Sequence, residues 1–190
     1  MKKTIQSIHS IFNNKKTRKT LVKFRLPIAL IFILIVIFHI KREFFFYGMA
    51  ISFFGEFIQV WCFAALDKQK TIAAKGLYAV TRNPMYIGRY FIILGAMVLT
   101  GNIFIILIYT LVYYFYMVNR VKREEKTLKN IFGTAYTDYC RHVNRFLPSF
   151  GNKDLKSLFF FKWSLFFQNN AHWNILSVGV TYMAVYYIVF

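Results

Sequence analysis

Uncharged apolar runs alternate with short polar segments along this chain, and the runs have helical rather than strand length. Leu26 to Ile40 is the first, Phe44 to Leu66 the second, and Ala171 to Phe190 the last. Between them, Tyr86–Thr100 and Ile103–Val118 form a helical hairpin closed by Gly101-Asn102, a turn signal. Leu26–Ile40 is short for a span, and a signal peptide competes there. Lys41-Arg42-Glu43 and bulky Phe residues follow it instead of a small-residue cleavage site, so it is expected to be a transmembrane helix with a snorkelling basic flank. The two longer runs match the thickness of a bilayer core.

The polar segments carry their own periodicity. Ile5, Ile8, Ile11 and Phe12 recur at helical spacing among basic residues, which predicts a short helix lying on a surface. Arg120–Phe132 continues the hairpin's second arm as a polar helix, and Gly133 is its natural stop. Thr134 is placed to cap a further helix reaching about Arg145, and Pro148 bars its extension. Leu155–Phe167 mixes Phe and Trp with Lys and reads as one interfacial helix.

These elements predict an all-α, integral membrane helical bundle of about five transmembrane helices with amphipathic helices on one side. Three regions are expected: a basic segment 1–25, a membrane core 26–150, and an interfacial plus terminal helix 151–190. Composition agrees, since 57% apolar with 21% aromatic residues is too greasy for a soluble domain. The net charge of +18 suggests nucleic acid until its placement is considered: the basic residues flank the apolar runs instead of forming a basic face. Of 25 Lys and Arg, only Lys41 and Arg42 fall in connections placed outside, which puts the N-terminus, Asp67–Met85 and Arg120–Lys162 in the cytosol. The membrane would be the plasma or inner membrane in a bacterium and the endoplasmic reticulum in a eukaryote.

Cys62 and Cys140 fall in different environments and are not expected to pair; no Cys/His spacing suggests a metal site. His9, His39, His142 and His172 are scattered and read as surface or interfacial. Glu56 and Gln59 share a face of the second apolar run, where an interhelical hydrogen bond is favoured over a functional role. Nothing in the sequence reports the oligomeric state.

Two stretches carry candidate chemistry, and topology puts both on one side. In Gly76–Gly88, Pro84 bends the chain where it re-enters the apolar phase; Arg82 and Asn83 offer donors, and Tyr78 and Tyr86 amphipathic rings. In Arg120-x3-Glu124-Glu125, Arg120 and Glu124 share a helix face, while Glu125 lies on a stripe with Val121, Leu128 and Phe132. A carboxylate on an apolar stripe needs a partner or a ligand, although two acids among so many cations also fit a solvated charge run.

Together, Gly76-x-Tyr78-x3-Arg82-Asn83-Pro84-x-Tyr86-x-Gly88, the hairpin, Arg120-x3-Glu124-Glu125, and Phe132-Gly133, Tyr136, Tyr139, Val143, Arg145 and Pro148 resemble the isoprenylcysteine carboxyl methyltransferase family, which groups with the membrane phospholipid methyltransferases. The resemblance covers roughly residues 48–150. It implies a small multi-span helical protein that binds S-adenosylmethionine in a cytosolic pocket, and no Gly-rich strand-to-helix fingerprint contradicts it. Tyr78, Asn83, Pro84, Met85, Tyr86 and Glu124 match its cofactor contacts; Arg82 joins them as a candidate donor, and Lys70–Ala73 falls at a further contacting position. Arg120 matches the arginine beside the acceptor. The family's usual residue at position 83 is histidine; Asn83 keeps hydrogen bonding but cannot titrate near neutrality.

Methyl transfer from a sulfonium needs an in-line nucleophile, positioning and exclusion of water. A carboxylate acceptor needs no base, and Arg120 would fix it through its planar fork. An amine acceptor would have to lose a proton, for which Glu125 is the nearby candidate. The expected function is therefore methylation of a lipid or lipid-tailed acceptor, carboxyl O-methylation ahead of phospholipid N-methylation or small-thiol S-methylation. A non-catalytic membrane scaffold or transport subunit is the rival from another class.

Overall fold

The computed structural model describes residues 2–67, 71–149 and 155–190. They form helices α1 (Lys2–Asn13), α2 (Lys15–Lys23), α3 (Arg25–Phe38), α4 (Phe45–Ala65), α5 (Pro84–Val98), α6 (Ile103–His142), α7 (Leu155–Leu158), α8 (Trp163–Gln168) and α9 (Ala171–Val189). Single 3₁₀ turns occur at Arg42–Phe44 and Gly76–Ala79, and the only extended pairing among the described residues is an isolated bridge between Thr81 and Asn144. Each apolar run read from the sequence is a helix. Two of them, Arg42–Ala65 and Ile103–His142, are long and apolar enough to cross a membrane, with α2 and α3 a third if they count as one span across their 67° bend. The expected boundary at 150/151 lies outside the described residues.

The centre of the bundle is the antiparallel α4–α5 pair, and small residues allow its close approach. A Cβ on Gly48 would lie 2.6 Å from the Gly95 carbonyl, and one on Gly55 would lie 2.5 Å from the Gly88 carbonyl. Contacts of this kind replace hydrophobic driving force where the surroundings are themselves apolar. Polar atoms add to the seam, with the Ser52 hydroxyl 2.7 Å from the Ile92 carbonyl. By contrast, α3 leaves Leu26, Leu30, Ile31 and Leu34 exposed, as does the first half of α6 with Phe104, Leu107, Ile108 and Leu111. Exposed apolar surface of this extent suits contact with lipid.

The terminal helix is tied to α4 by polar contacts. Asn174 donates to Glu56 at 2.7 Å, and the Tyr182 hydroxyl meets Ser52 at 2.6 Å and the Gly48 carbonyl at 3.0 Å. The interhelical hydrogen bond expected for Glu56 is therefore present. Asn169 covers the end of α4, donating to the free carbonyls of Phe63 and Leu66.

Two sequence expectations change. The single interfacial helix over Leu155–Phe167 is instead two short helices, because the chain turns at 159–162 so that the Lys162 amide reaches the Ala64 carbonyl. His9 is not a surface histidine: it is half-buried, hydrogen-bonded to Asn119 at 3.2 Å and edge-on to Phe115 of α6. Cys62 and Cys140 are both free, as expected.

The chain's connections sort to two ends. Lys41 donates its amide to the Leu99 carbonyl, which brings the first connection beside the Gly101-Asn102 turn. At the other end, the Arg82 amide donates to the Asn144 carbonyl, and α1 lies against α6 through Asn119. The two chemical stretches therefore share one end of the bundle.

Candidate functional site

Backbone geometry sets the site before any side chain does. Gly76 opens the 3₁₀ turn at φ 61°, where a Cβ would also lie 2.9 Å from Ala65. Asn83 then adopts a non-helical conformation, and Pro84 occupies the first turn of α5, where its missing N–H costs nothing. From the far side, α6 breaks at Gly133, whose φ of 56° and ψ of −124° lie outside the helical region. That break folds residues 134–149 back over the Asp67–Met85 connection. The returning segment is stitched down: Asn83 Nδ2 donates to the Arg145 carbonyl at 3.2 Å, the Tyr139 hydroxyl donates to the Tyr78 carbonyl at 2.6 Å, and Ser149 donates its amide to the Val80 carbonyl.

These elements enclose a cavity of about 210 Å³. Its near wall contains Asp67, Thr71, Ile72 and Ala73; Tyr78, Arg82, Asn83, Met85 and Tyr86 form its floor. Glu124, Leu128, Phe132, Tyr136 and Tyr139 close it from α6. Of the sequence candidates, Tyr78, Arg82, Asn83, Met85, Tyr86 and Glu124 thus meet around one space, with Pro84 buried behind them. Thr71–Ala73 also line it, whereas Lys70 lies outside the described residues.

A hydrogen bond joins the two stretches directly: the Tyr86 hydroxyl donates to Glu124 Oε2 at 2.8 Å. The other oxygen of Glu124 accepts from Arg120 Nε, also at 2.8 Å. Arg120 does not line the first cavity. It faces a second one, of about 610 Å³, together with Tyr116, Arg123 and residues of α1 and α2. The Tyr86–Glu124–Arg120 chain therefore runs from one cavity to the other.

Glu125 has the partners that its place on an apolar stripe called for. Arg145 grips it with Nε at 3.0 Å and Nη2 at 2.6 Å from Oε2, and Arg82 Nη2 stands 3.5 Å from Oε1. Its side chain is 12% exposed and is absent from the lining of the first cavity. The hydrogen bond to Glu125 holds the Arg145 guanidinium above the usual arginine range.

The residues around the first cavity fit the cofactor that the resemblance implies. Arg82 keeps its Nε buried without a hydrogen-bond partner, a donor left over for an anionic group such as an amino-acid carboxylate. Glu124 offers an acceptor for ammonium or hydroxyl donors. Burial holds the phenols of Tyr78 and Tyr139 above their ordinary range, so they stay neutral and present rings suited to a cation or a flat base. Sequence reasoning missed Asp67 as a wall residue and the packing of α1 on α6; α1's Phe12 stacks on Phe115, contacts that periodicity cannot reveal. Among the described residues no cluster of His, Cys, Asp and Glu is arranged to hold a metal ion.

Comparison with known proteins gives the same direction. The chain is 32% identical over 82 residues to protein-S-isoprenylcysteine O-methyltransferase of Schizosaccharomyces pombe, which covers 43% of this chain and 35% of that protein. It is also 32% identical over 78 residues to the protein of that name in Mus musculus, covering 41% of this chain and 28% of the mouse protein. The chain thus matches only about a third of the length of these curated relatives. No solved structure matches it. The family model for phospholipid methyltransferase matches residues 28–135, more than half of the sequence, and the chain belongs to that family.

Proposed function

We propose that this protein is a membrane-embedded, S-adenosylmethionine-dependent methyltransferase acting on a lipid-tailed acceptor, with carboxyl O-methylation as its reaction. The observation that carries the proposal is the Tyr86–Glu124–Arg120 chain, which sets the first cavity one ion pair away from a basic cavity. The names of the relatives support the same reaction. The cofactor would supply an electrophilic methyl group on a positively charged sulfur. Arg82 and Asn83 would hold its carboxylate, Glu124 its donor groups, and Tyr78 with Tyr139 its cationic and aromatic parts. Pro84 and Met85 would fix the turn under it.

Arg120, oriented by Glu124 and Tyr86, would present its guanidinium to an acceptor carboxylate. Such an acceptor is already anionic, so the transfer needs no base, and positioning supplies the rate. Glu125, saturated by Arg145 and Arg82, organises the folded-back segment instead of moving protons. That environment disfavours amine N-methylation. The chain would cross the membrane as five helices, α3, α4, α5, the apolar half of α6, and α9, with both cavities at the cytosolic face. The excess of Lys and Arg at that end supports this orientation.

The test is methyl transfer. Purified protein is incubated with methyl-labelled cofactor and, separately, a prenylcysteine analogue, total membrane lipid and a small hydrophobic thiol. Base-labile label on the prenylcysteine carboxyl is expected. Label on phospholipid or thiol alone would replace carboxyl methylation with one of the alternatives, and a protein that neither transfers methyl groups nor binds the cofactor would be a scaffold.

A further inference from the structure

One side of the second cavity is built by a part of the chain that the family match, beginning at residue 28, does not reach. Helices α1 and α2 fold over the polar half of α6 and are held by a specific network. Asn13 Nδ2 donates to Asn119 Oδ1 at 2.8 Å, Arg123 Nη1 donates to Asn13 Oδ1 at 2.7 Å, and His9 meets Asn119. Asn14 caps α2, accepting from the Lys16 amide at 2.8 Å, and so fixes the angle at which α2 leaves α1. The arm is thus a docked element of the fold.

The space it closes has an unusual lining. Lys15, Arg18, Lys19, Arg120 and Arg123 contribute charge, with no acid among the lining residues. Glu124, the nearest carboxylate, is engaged by Arg120 and Tyr86. Both Arg18 and Arg123 keep a buried Nε without a hydrogen-bond partner. Burial, and then the charges of Arg18 and Arg120, hold the Arg123 guanidinium below the usual arginine range. Cations crowded in this way repel one another, and an anion among them relieves the repulsion while satisfying the orphaned donors. Apart from Thr17, the remaining wall is apolar or aromatic: Phe12, Leu21, Val22 and Tyr116. Leu21 and Val22 lead on to the exposed apolar face of α3.

We propose that the α1–α2 arm completes a binding site for an anionic, lipid-tailed molecule, its headgroup held by Arg18, Lys19 and Arg123 and its tail leaving along Leu21, Val22 and α3. Resting on the methyltransferase function proposed above, this molecule is the methyl acceptor, presented at Arg120 with the first cavity directly behind Glu124. The arm is then a specificity element, selecting acceptors by the charge of the headgroup. A carboxylate and a phosphate share the chemistry recognised, and the two are separable by experiment.

Three probes with one farnesyl tail test the site: N-acetyl-S-farnesylcysteine, its uncharged methyl ester, and farnesyl phosphate. Each is titrated by calorimetry into full-length protein in nanodiscs of zwitterionic lipid, alongside S-adenosylhomocysteine. Wild type is expected to bind at least one anionic probe about tenfold or more tighter than the ester, the size of one charge-assisted hydrogen bond. The Arg18→Gln/Lys19→Gln variant should lose that preference while its affinity for S-adenosylhomocysteine stays within about twofold, and Arg18→Lys/Lys19→Arg should recover most of it. Preference for the carboxylate would assign the headgroup to a lipid-tailed carboxylic acid, and preference for the phosphate to a lipid-tailed phosphate.

The proposal is overturned if acid and ester bind wild type equally, or if the preference survives in the double Gln variant. It is also overturned if Lys16→Gln, an exposed charge outside the cavity, weakens the anionic probe as much as the arm variant does, since that reports diffuse surface attraction. Absence of S-adenosylhomocysteine binding to wild type contradicts the methyltransferase function separately, because the probe preference is read without cofactor.

Discussion

Replacing Glu125 with Gln separates two roles for this carboxylate. As a proton acceptor, its loss would abolish turnover with an amine while leaving the fold intact. As the anchor for Arg145, its loss should loosen the segment that closes the first cavity. The structure supports the second. Arg145 makes two close contacts to Oε2, at 3.0 and 2.6 Å, and a longer one of 3.2 Å to Oε1. A charge-assisted interaction of this kind contributes about 1.5–3 kcal/mol when buried. Arg145 is 38% exposed, so solvent screening reduces the figure to about 1–2 kcal/mol. In a protein of this size such a loss lowers the unfolding midpoint by about 2–8 °C. Because the Arg145 carbonyl also accepts from Asn83, affinity for S-adenosylhomocysteine should fall with it, by about three- to tenfold. The assay is a thermal melt in detergent followed by calorimetric titration. An unchanged midpoint and unchanged affinity, together with a hundredfold loss of turnover, would refute the anchoring role and restore Glu125 as a base.

Other perturbations probe other parts of the account. Gly55→Val should separate α4 from α5, costing about 1–3 kcal/mol by overpacking against the Gly88 carbonyl, and is read as a lower melting midpoint. Asn174→Ala leaves the Glu56 carboxyl without its partner from α9 and should destabilise by about 1–3 kcal/mol, checked by the same melt. Arg120→Lys keeps the charge but loses the planar fork, so turnover should fall about tenfold or more while affinity for S-adenosylhomocysteine changes little; equal loss of both would make Arg120 structural.

Much of the site was legible because local rules and topology agreed. Pro84 after Asn83 announced the turn, Gly101-Asn102 the hairpin, and the basic flanks the shared end; the family resemblance then assigned Tyr86 and Glu124 to one cofactor site. The Gly133 break was also readable. Its consequence was not: a backbone reversal at that residue brings Arg145 onto Glu125 across a separation that no periodicity reports. The arm was misread in part for a related reason. Isoleucines at helical spacing predict an amphipathic helix, and whether its partner is a lipid surface or α6 depends on Asn13, His9 and Asn119, polar residues whose pairing is purely tertiary. Leu155–Phe167 looked continuous because its aromatic residues suit an interface, yet closing the end of α4 required a turn at 159–162.

The central claim is that Glu124 and Tyr86 hold one cofactor between them, and calorimetric titration of S-adenosylhomocysteine into wild type and Glu124→Gln tests it most directly. Saturable binding to wild type, weakened about 10- to 150-fold in the variant by loss of roughly 1.5–3 kcal/mol of charge-assisted hydrogen bonding, is the predicted result. Equal affinity in the two proteins, or no saturable binding to either, would contradict it.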